Sequence, residues 1–227
     1  MSKLLKKLLA IFSTIFALGS TTSLAGASAP SAEKLMVVMR ELAGANIETE
    51  SFEQLKVKAK SEDGKTNVEL NMAWYEYIGD MHIRFVFDDK KTMRNATMQD
   101  LKVLNLSLDE ALKLALKKIK ATYGNPDTKP WAEGIIQVKG KSKDLDSSYF
   151  LDRDFWNQLL KKHPEGLVAA VPSRGGLLYT PLSDTNAVDT LKLNINDLYQ
   201  SSSEQLRVSS KLYLFKNGKW SIFQYAK

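Results

Sequence analysis

The chain of 227 residues contains no cysteine. Disulfides, thiolate nucleophiles, cysteine-held zinc and iron–sulfur clusters are therefore excluded. Histidine is nearly as scarce. The two present, His82 and His163, lie in different halves of the chain. Neither has a second histidine or a carboxylate at the i+4 spacing of an H-E-x-x-H helix, so no metal site and no cofactor are expected. Both read as surface histidines, His82 beside Asp80 at a strand start and His163 in a helix-ending turn near the negative end of the helix dipole. Beyond the first thirty residues no stretch approaches 18 consecutive apolar residues, so no membrane span is expected there.

What is present at the start is an address. Lys3, Lys6 and Lys7 precede the apolar run Leu8–Leu18, and a small, polar stretch follows to Ala25-Gly26-Ala27-Ser28-Ala29. This is a charged region, a short hydrophobic region and an A-x-A cleavage signal. The apolar run reaches only ~16 Å at ~1.5 Å per residue, against a hydrocarbon layer of ~30 Å. The expectation is a cleavable leader over residues 1–29, cut after Ala29, with Ala27 or Ala25 as alternatives. The product would be periplasmic or secreted. No cysteine follows the leader, so no lipid anchor is expected.

Strong charge of one sign is also lacking in the remainder. The 32 lysines and arginines less Lys3, Lys6 and Lys7 leave 29, against 26 acids, a net charge of +3. Nucleic acid is not an expected partner on that balance. Residues 30–227 are long enough for one α+β domain with its own core.

Along that stretch, Ser31 reads as the cap of a helix with Leu35, Val38, Met39 and Leu42 inward, closed by Gly44. Leu55, Val57 and Ala59, then Val68, Leu70, Met72 and Trp74, alternate with polar residues around Asp63-Gly64, which predicts a hairpin. A third strand is expected at His82–Phe87 and a short helix near Gln99–Leu104. Ser107-Leu-Asp-Glu110 is a capping box opening a helix over Leu108–Tyr123, stopped by Gly124-Asn125-Pro126. Residues 124–130 are the candidate lobe boundary. Gly134–Lys139 reads as a strand, and Asp152 or Asp154 caps a helix carrying Trp156. Leu167–Val171 and Leu177–Thr180 read as strands joined by the 172–176 loop. Ser183-Asp184 opens a helix with Ala187, Val188 and Leu191 inward. Asn217-Gly218 turns a final hairpin. The fold class is α+β, antiparallel sheets with helices packed on one side.

Ile83–Asp89, Leu106–Ala111 and above all Val168-Ala-Ala-Val-Pro-Ser-Arg-Gly-Gly-Leu-Leu-Tyr179, followed by Asp184 and Ala187-Val188, resemble the YtpQ-like family of bacterial proteins. The resemblance covers about residues 83–192. It implies an α+β fold and carries no catalytic or binding residue over to this chain.

Candidate chemistry is sparse. Asp88-Asp89 and the cluster Asp144, Asp146, Asp152 and Asp154 could serve a hydrolase only by converging on one bond, which spacing does not reveal; the alternative is capping and turn formation. Ser173, Arg174, Gly175 and Gly176 form the candidate ligand-binding loop. Its glycines could let backbone N–H groups approach an anion, and Arg174 could pair with carboxylate or phosphate. The alternative is a glycine pair that only turns a hairpin. Lys113, Lys117, Lys118 and Lys120 could meet an anionic envelope polymer or form an ordinary solvated face. Tyr75 and Tyr77 alternate away from Trp74 and could leave aromatic surface exposed to a partner. The function expected is a non-catalytic binding or interaction module of the cell envelope, its partner a protein or envelope component. An exported hydrolase using an Asp/Arg cluster is the alternative.

Overall fold

The computed structural model describes residues 29–61, 65–89 and 92–223. The leader up to Ser28, including Ala25 and Ala27, lies outside the described residues, as does Asp63-Gly64. Ala29 is exposed. Among the described residues no helix is long and apolar enough to cross a membrane.

The fold is α+β and its sheets are antiparallel throughout. In the first sheet, β1 (Leu35–Glu41) pairs along its whole length with β5 (Met81–Asp88). The other edge of β5 is shared by β4 (Trp74–Glu76) and β6 (Met93–Asn95). Between β4 and β6, Ala73 and Ala96 are buried and joined by a backbone bond of 2.9 Å. The predicted first helix is thus a strand. Ser31 makes no side-chain cap, and only a single turn, Ala32–Lys34, precedes β1. Leu35 to Met39 are all buried, so both faces of β1 are covered. A short apolar run buried on both faces fits a strand as well as a helix stripe, and the paired valines favour extended backbone.

The second sheet has six strands in the order β12-β11-β9-β10-β8-β7. These are β7 (Asp127–Ala132), β8 (Ile135–Lys139), β9 (Leu167–Ala170), β10 (Leu177–Pro181), β11 (Leu212–Lys216) and β12 (Lys219–Ile222). The candidate boundary at 124–130 therefore runs into an edge strand of this sheet. Alternation sorts the strand residues by face. Val168, Ala170, Leu178 and Leu212 pack with Ala187, Val188, Leu191 and Ile195 of the helix Thr185–Gln200. Leu167, Ala169, Leu177, Tyr179, Tyr213 and Phe215 join the main core. There the helix Arg153–Leu160 inserts Trp156, edge-on to Tyr179 at 5.6 Å. Helices therefore lie on both faces of this sheet.

We number the helices α1 (Met98–Val103), α2 (Leu108–Tyr123), α3 (Arg153–Leu160) and α4 (Thr185–Gln200). Ser107 and Glu110 form the expected capping box on α2. Thr97 and Asp100 form a second one on α1. Asp152 caps α3 and Asp184 caps α4. The predicted long second arm of the first hairpin is split. Its strands β2 (Val57–Lys60) and β3 (Asn67–Leu70) pair with each other, and Lys56–Asn71 forms a compact unit by itself. Trp74 belongs to the first sheet instead.

One buried turn ties the main core together. Asp146–Leu151 is buried over its whole length. Phe150 stacks on Trp220 at 4.0 Å, and the indole N–H groups of Trp156 and Trp220 donate to the Tyr149 and Phe150 carbonyls. Ser148 Oγ donates to the Val37 carbonyl of β1 at 2.7 Å. Contrary to the expected exposed aromatic surface, Tyr75 and Tyr77 are buried and Trp74 is the half-exposed one. The Tyr77 hydroxyl donates to Glu50, which also takes Arg153 and, at 3.1 Å, the backbone N–H of Trp220.

Candidate functional site: an arginine-lined cleft

Register in the first sheet brings three basic side chains to one face. Arg40 lies opposite His82, Val38 opposite Arg84, and Trp74 opposite Arg84 on the other side. The Arg84 guanidinium stacks 3.6 Å over the Trp74 ring. Its Nε–H donates to His82 Nε2 at 2.8 Å. The accepting nitrogen must carry a lone pair, so His82 is neutral in this arrangement. Burial is the main reason its pKa falls to about 3, with Arg84 and then Arg40 adding to the shift and the Glu41 backbone opposing it. His82 is 3% exposed, so the expected surface histidine is a buried support for Arg84.

Arg40 reaches the same region from the end of β1, with one N–H donating to the Met39 carbonyl at 3.0 Å. Burial first, then Arg174 and Arg84, pull its pKa down to about 9, against a smaller opposing pull from Asp144. Burial brings Arg84 down to about 10. These shifts report guanidinium groups that lack much of their water and sit close to one another. Both remain cationic at neutral pH.

Arg174 arrives from the second sheet on the turn between β9 and β10. That turn is closed by the Gly176 N–H to the Ser173 carbonyl at 3.0 Å. The Arg174 N–H donates to Leu206 O at 2.9 Å, and its carbonyl accepts from the Ser147 N–H at 2.8 Å. Added side chains at Gly175 and Gly176 would come within 3.1 Å of Lys143 O and 2.9 Å of Ser173 Oγ. The glycine pair thus permits close packing. The Arg174 and Gly176 N–H groups are already engaged, and of the candidate loop it is Arg174 that lines a cleft.

The cleft has a volume of about 450 Å³ and is lined by Arg40, Glu41, Ala43, Arg84, Arg174 and residues 204–207. Its volume falls within the usual range for small-molecule sites. Arg207 is occupied by the C-terminal end of α4, donating to the carbonyls of Tyr199, Gln200 and Ser202. Glu41 accepts from the Tyr199 hydroxyl at 2.5 Å. Arg174 has Asp144 at 3.5 Å, with the aspartate 61% exposed. Arg40 and Arg84 form no ion pair with a carboxylate among the described residues. Other half-buried arginines differ: Arg94 has Asp100 at 3.0 Å, and Arg153 has Glu50.

The remaining sequence candidates go elsewhere. Asp88 accepts from the Tyr123 hydroxyl, and Asp152 caps α3 and pairs with Lys120 at 3.1 Å. Asp154 lies exposed in the first turn of α3. Of the aspartates, Asp144 alone meets a cleft arginine. Lys118 pairs with Glu33, while Lys113 and Lys117 are exposed. Among the described residues no group of three or more His, Asp or Glu side chains is placed to hold a metal ion. Sequence reasoning missed Arg40 and Arg84 and placed His82 at the surface. The available signal was a charge in a strand otherwise apolar on both faces, Arg84 within Ile83–Phe87 and Arg40 directly after Leu35–Met39. No family model, curated protein or solved structure matches this chain.

Proposed function

We propose that the chain is an exported, non-catalytic binding module of the cell envelope, and that the arginine-lined cleft is where it contacts an anionic ligand. The observation that carries this reading is the pair Arg40 and Arg84. Both are half-buried, neither has a carboxylate partner among the described residues, and both line one cleft with Arg174. Partly dehydrated cations without a counter-ion are costly to a fold that gains nothing from them. An anionic ligand would supply the missing hydrogen-bond acceptors and charge. The lysine-rich leader region and the A-x-A sequence support the compartment.

The test has two parts. Cell fractionation with N-terminal sequencing should find a product beginning at Pro30 in the periplasm or medium; a cytosolic product beginning at Met1 would remove the compartment. Mature wild-type protein and the Arg40→Gln/Arg84→Gln double variant are then used to capture material from an envelope fraction. The reading requires a component retained by wild type and lost by the variant. Identical retention by both, or none by either, would refute it.

A further inference from the structure

We infer that the cleft takes a small phosphate monoester in its dianionic form, held by Arg40, Arg84 and Arg174. This rests on the anion-binding reading above and narrows it to one chemical class. Three features of the cleft point there.

The first is charge. The lining holds Arg40, Arg84, Arg174 and Arg207 against Glu41 and Glu204, a net of +2 that a dianion would balance. The second is direction. The three available guanidinium groups come from β1, from β5 and from the turn after β9. A planar carboxylate is satisfied by one bidentate arginine, whereas a tetrahedral oxyanion offers acceptors to donors from several sides. The third is fixation. Arg84 is held by the Trp74 ring at 3.6 Å and by His82 at 2.8 Å, which consumes its Nε–H and leaves its terminal N–H groups unassigned. Arg174 is tethered by its Nε–H to the Asp144 carbonyl at 3.3 Å, while its carboxylate neighbour is mostly solvated. Donors held in place before a ligand arrives lose less freedom on binding.

Calorimetry on the mature protein with glycerol 2-phosphate tests this. A phosphate monoester loses its second acidic proton near pH ~6, so the dianion is a small fraction at pH 5 and nearly all of the ligand at pH 7.5. Arg40 and Arg84 stay charged across that range and His82 stays neutral; Glu41 and Glu204 of the lining and Asp144 beside Arg174 also face the ligand, and a sulfate control reads any change that they make. Affinity should rise about tenfold from pH 5 to pH 7.5. Sulfate, a dianion at both values, should show no such rise. Acetate should bind at least about tenfold more weakly than glycerol 2-phosphate at pH 7.5, since it engages one arginine fork.

Arg40→Gln and Arg174→Gln should each weaken glycerol 2-phosphate binding about tenfold or more with an unchanged circular dichroism spectrum. Arg84→Lys, which keeps the charge but not the fork, should recover only part of what Arg84→Gln loses. Lys113→Gln, on the exposed face of α2, should leave binding unchanged. Vesicles containing phosphatidic acid present the same headgroup chemistry on a lipid. Binding to them without binding to glycerol 2-phosphate would overturn a small-molecule ligand. If glycerol 2-phosphate binding is flat with pH, or acetate binds equally well, the dianion inference falls while anion binding stands. If no anion binds, both fall.

Discussion

His82 shows how one side chain can couple a site to the stability of the fold. In the unfolded chain its pKa is near ~6.5. In the folded protein, burial, then Arg84 and Arg40, hold it near 3. Between these values the unfolded chain binds a proton that the folded chain does not, so stability is fully present above the unfolded pKa and declines as pH falls toward 3. His82→Gln keeps an acceptor for the Arg84 Nε–H and removes the proton. Its urea midpoint should change less between pH 7 and pH 4 than that of wild type; equal slopes would show that His82 does not carry this linkage. Glu50 is a second case. It takes Tyr77, Arg153 and the backbone N–H of Trp220 together, and its side chain is largely buried. Glu50→Ala strands these donors and should cost about 2–3 kcal/mol by urea unfolding, toward the lower end for a broken buried pair because Arg153 is partly solvated. The exposed pair Lys129–Asp127, at 3.8 Å, sets the contrast. Asp127→Ala should stay within about 0.5 kcal/mol of wild type.

At the scale of elements, what was legible in the sequence was what is decided locally. Ser107 and Glu110 are three residues apart and form the cap their spacing announces. Asn217 and Gly218 both adopt positive φ, 54° and 74°, as a tight hairpin turn requires. The segment Leu35–Glu41 was not legible, because its extended form is decided by β5, which follows it by some forty residues, and by cover on both faces. Part of that cover is the buried turn Asp146–Leu151, where two adjacent serines make opposite predictions. Ser148 Oγ satisfies the Val37 carbonyl at 2.7 Å. Ser148→Ala leaves a buried acceptor without that bond and should destabilise by about 1–2 kcal/mol. Ser147 Oγ is buried with no hydrogen-bond partner. Ser147→Ala removes an unsatisfied hydroxyl and should be neutral or slightly stabilising. Paired urea titrations decide both, and equal losses at the two positions would contradict the bond to Val37.

Over the whole molecule, the cleft was illegible for the same reason that β1 was, at longer range. Arg40, Arg84 and Arg174 are spread across most of the folded chain and meet only through the β1–β5 register and the turn joining β9 to β10. No local spacing encodes that meeting. Arg174 alone was marked out, because glycines beside an arginine are visible in a single line of sequence. The hairpin Lys56–Asn71 lies at the opposite extreme, since its pairing is entirely local and it forms a unit of its own. The chain on either side is already held without it. Leu55 N–H donates to Trp74 O at 2.9 Å, Glu76 N–H to Glu53 O at 2.8 Å, and the Gln54 side chain to Met72 O at 3.4 Å. Loop closure across this point therefore comes from the larger unit, and shortening the insert costs little entropy. Replacing residues 57–70 by two glycines should leave a cooperatively folded protein with a Tm within about 3 °C of wild type. It should also keep the same affinity for glycerol 2-phosphate as the intact chain. A deletion variant that loses cooperative unfolding would show that β2 and β3 are needed by the larger unit. One that folds but no longer binds would place the hairpin in the ligand's path.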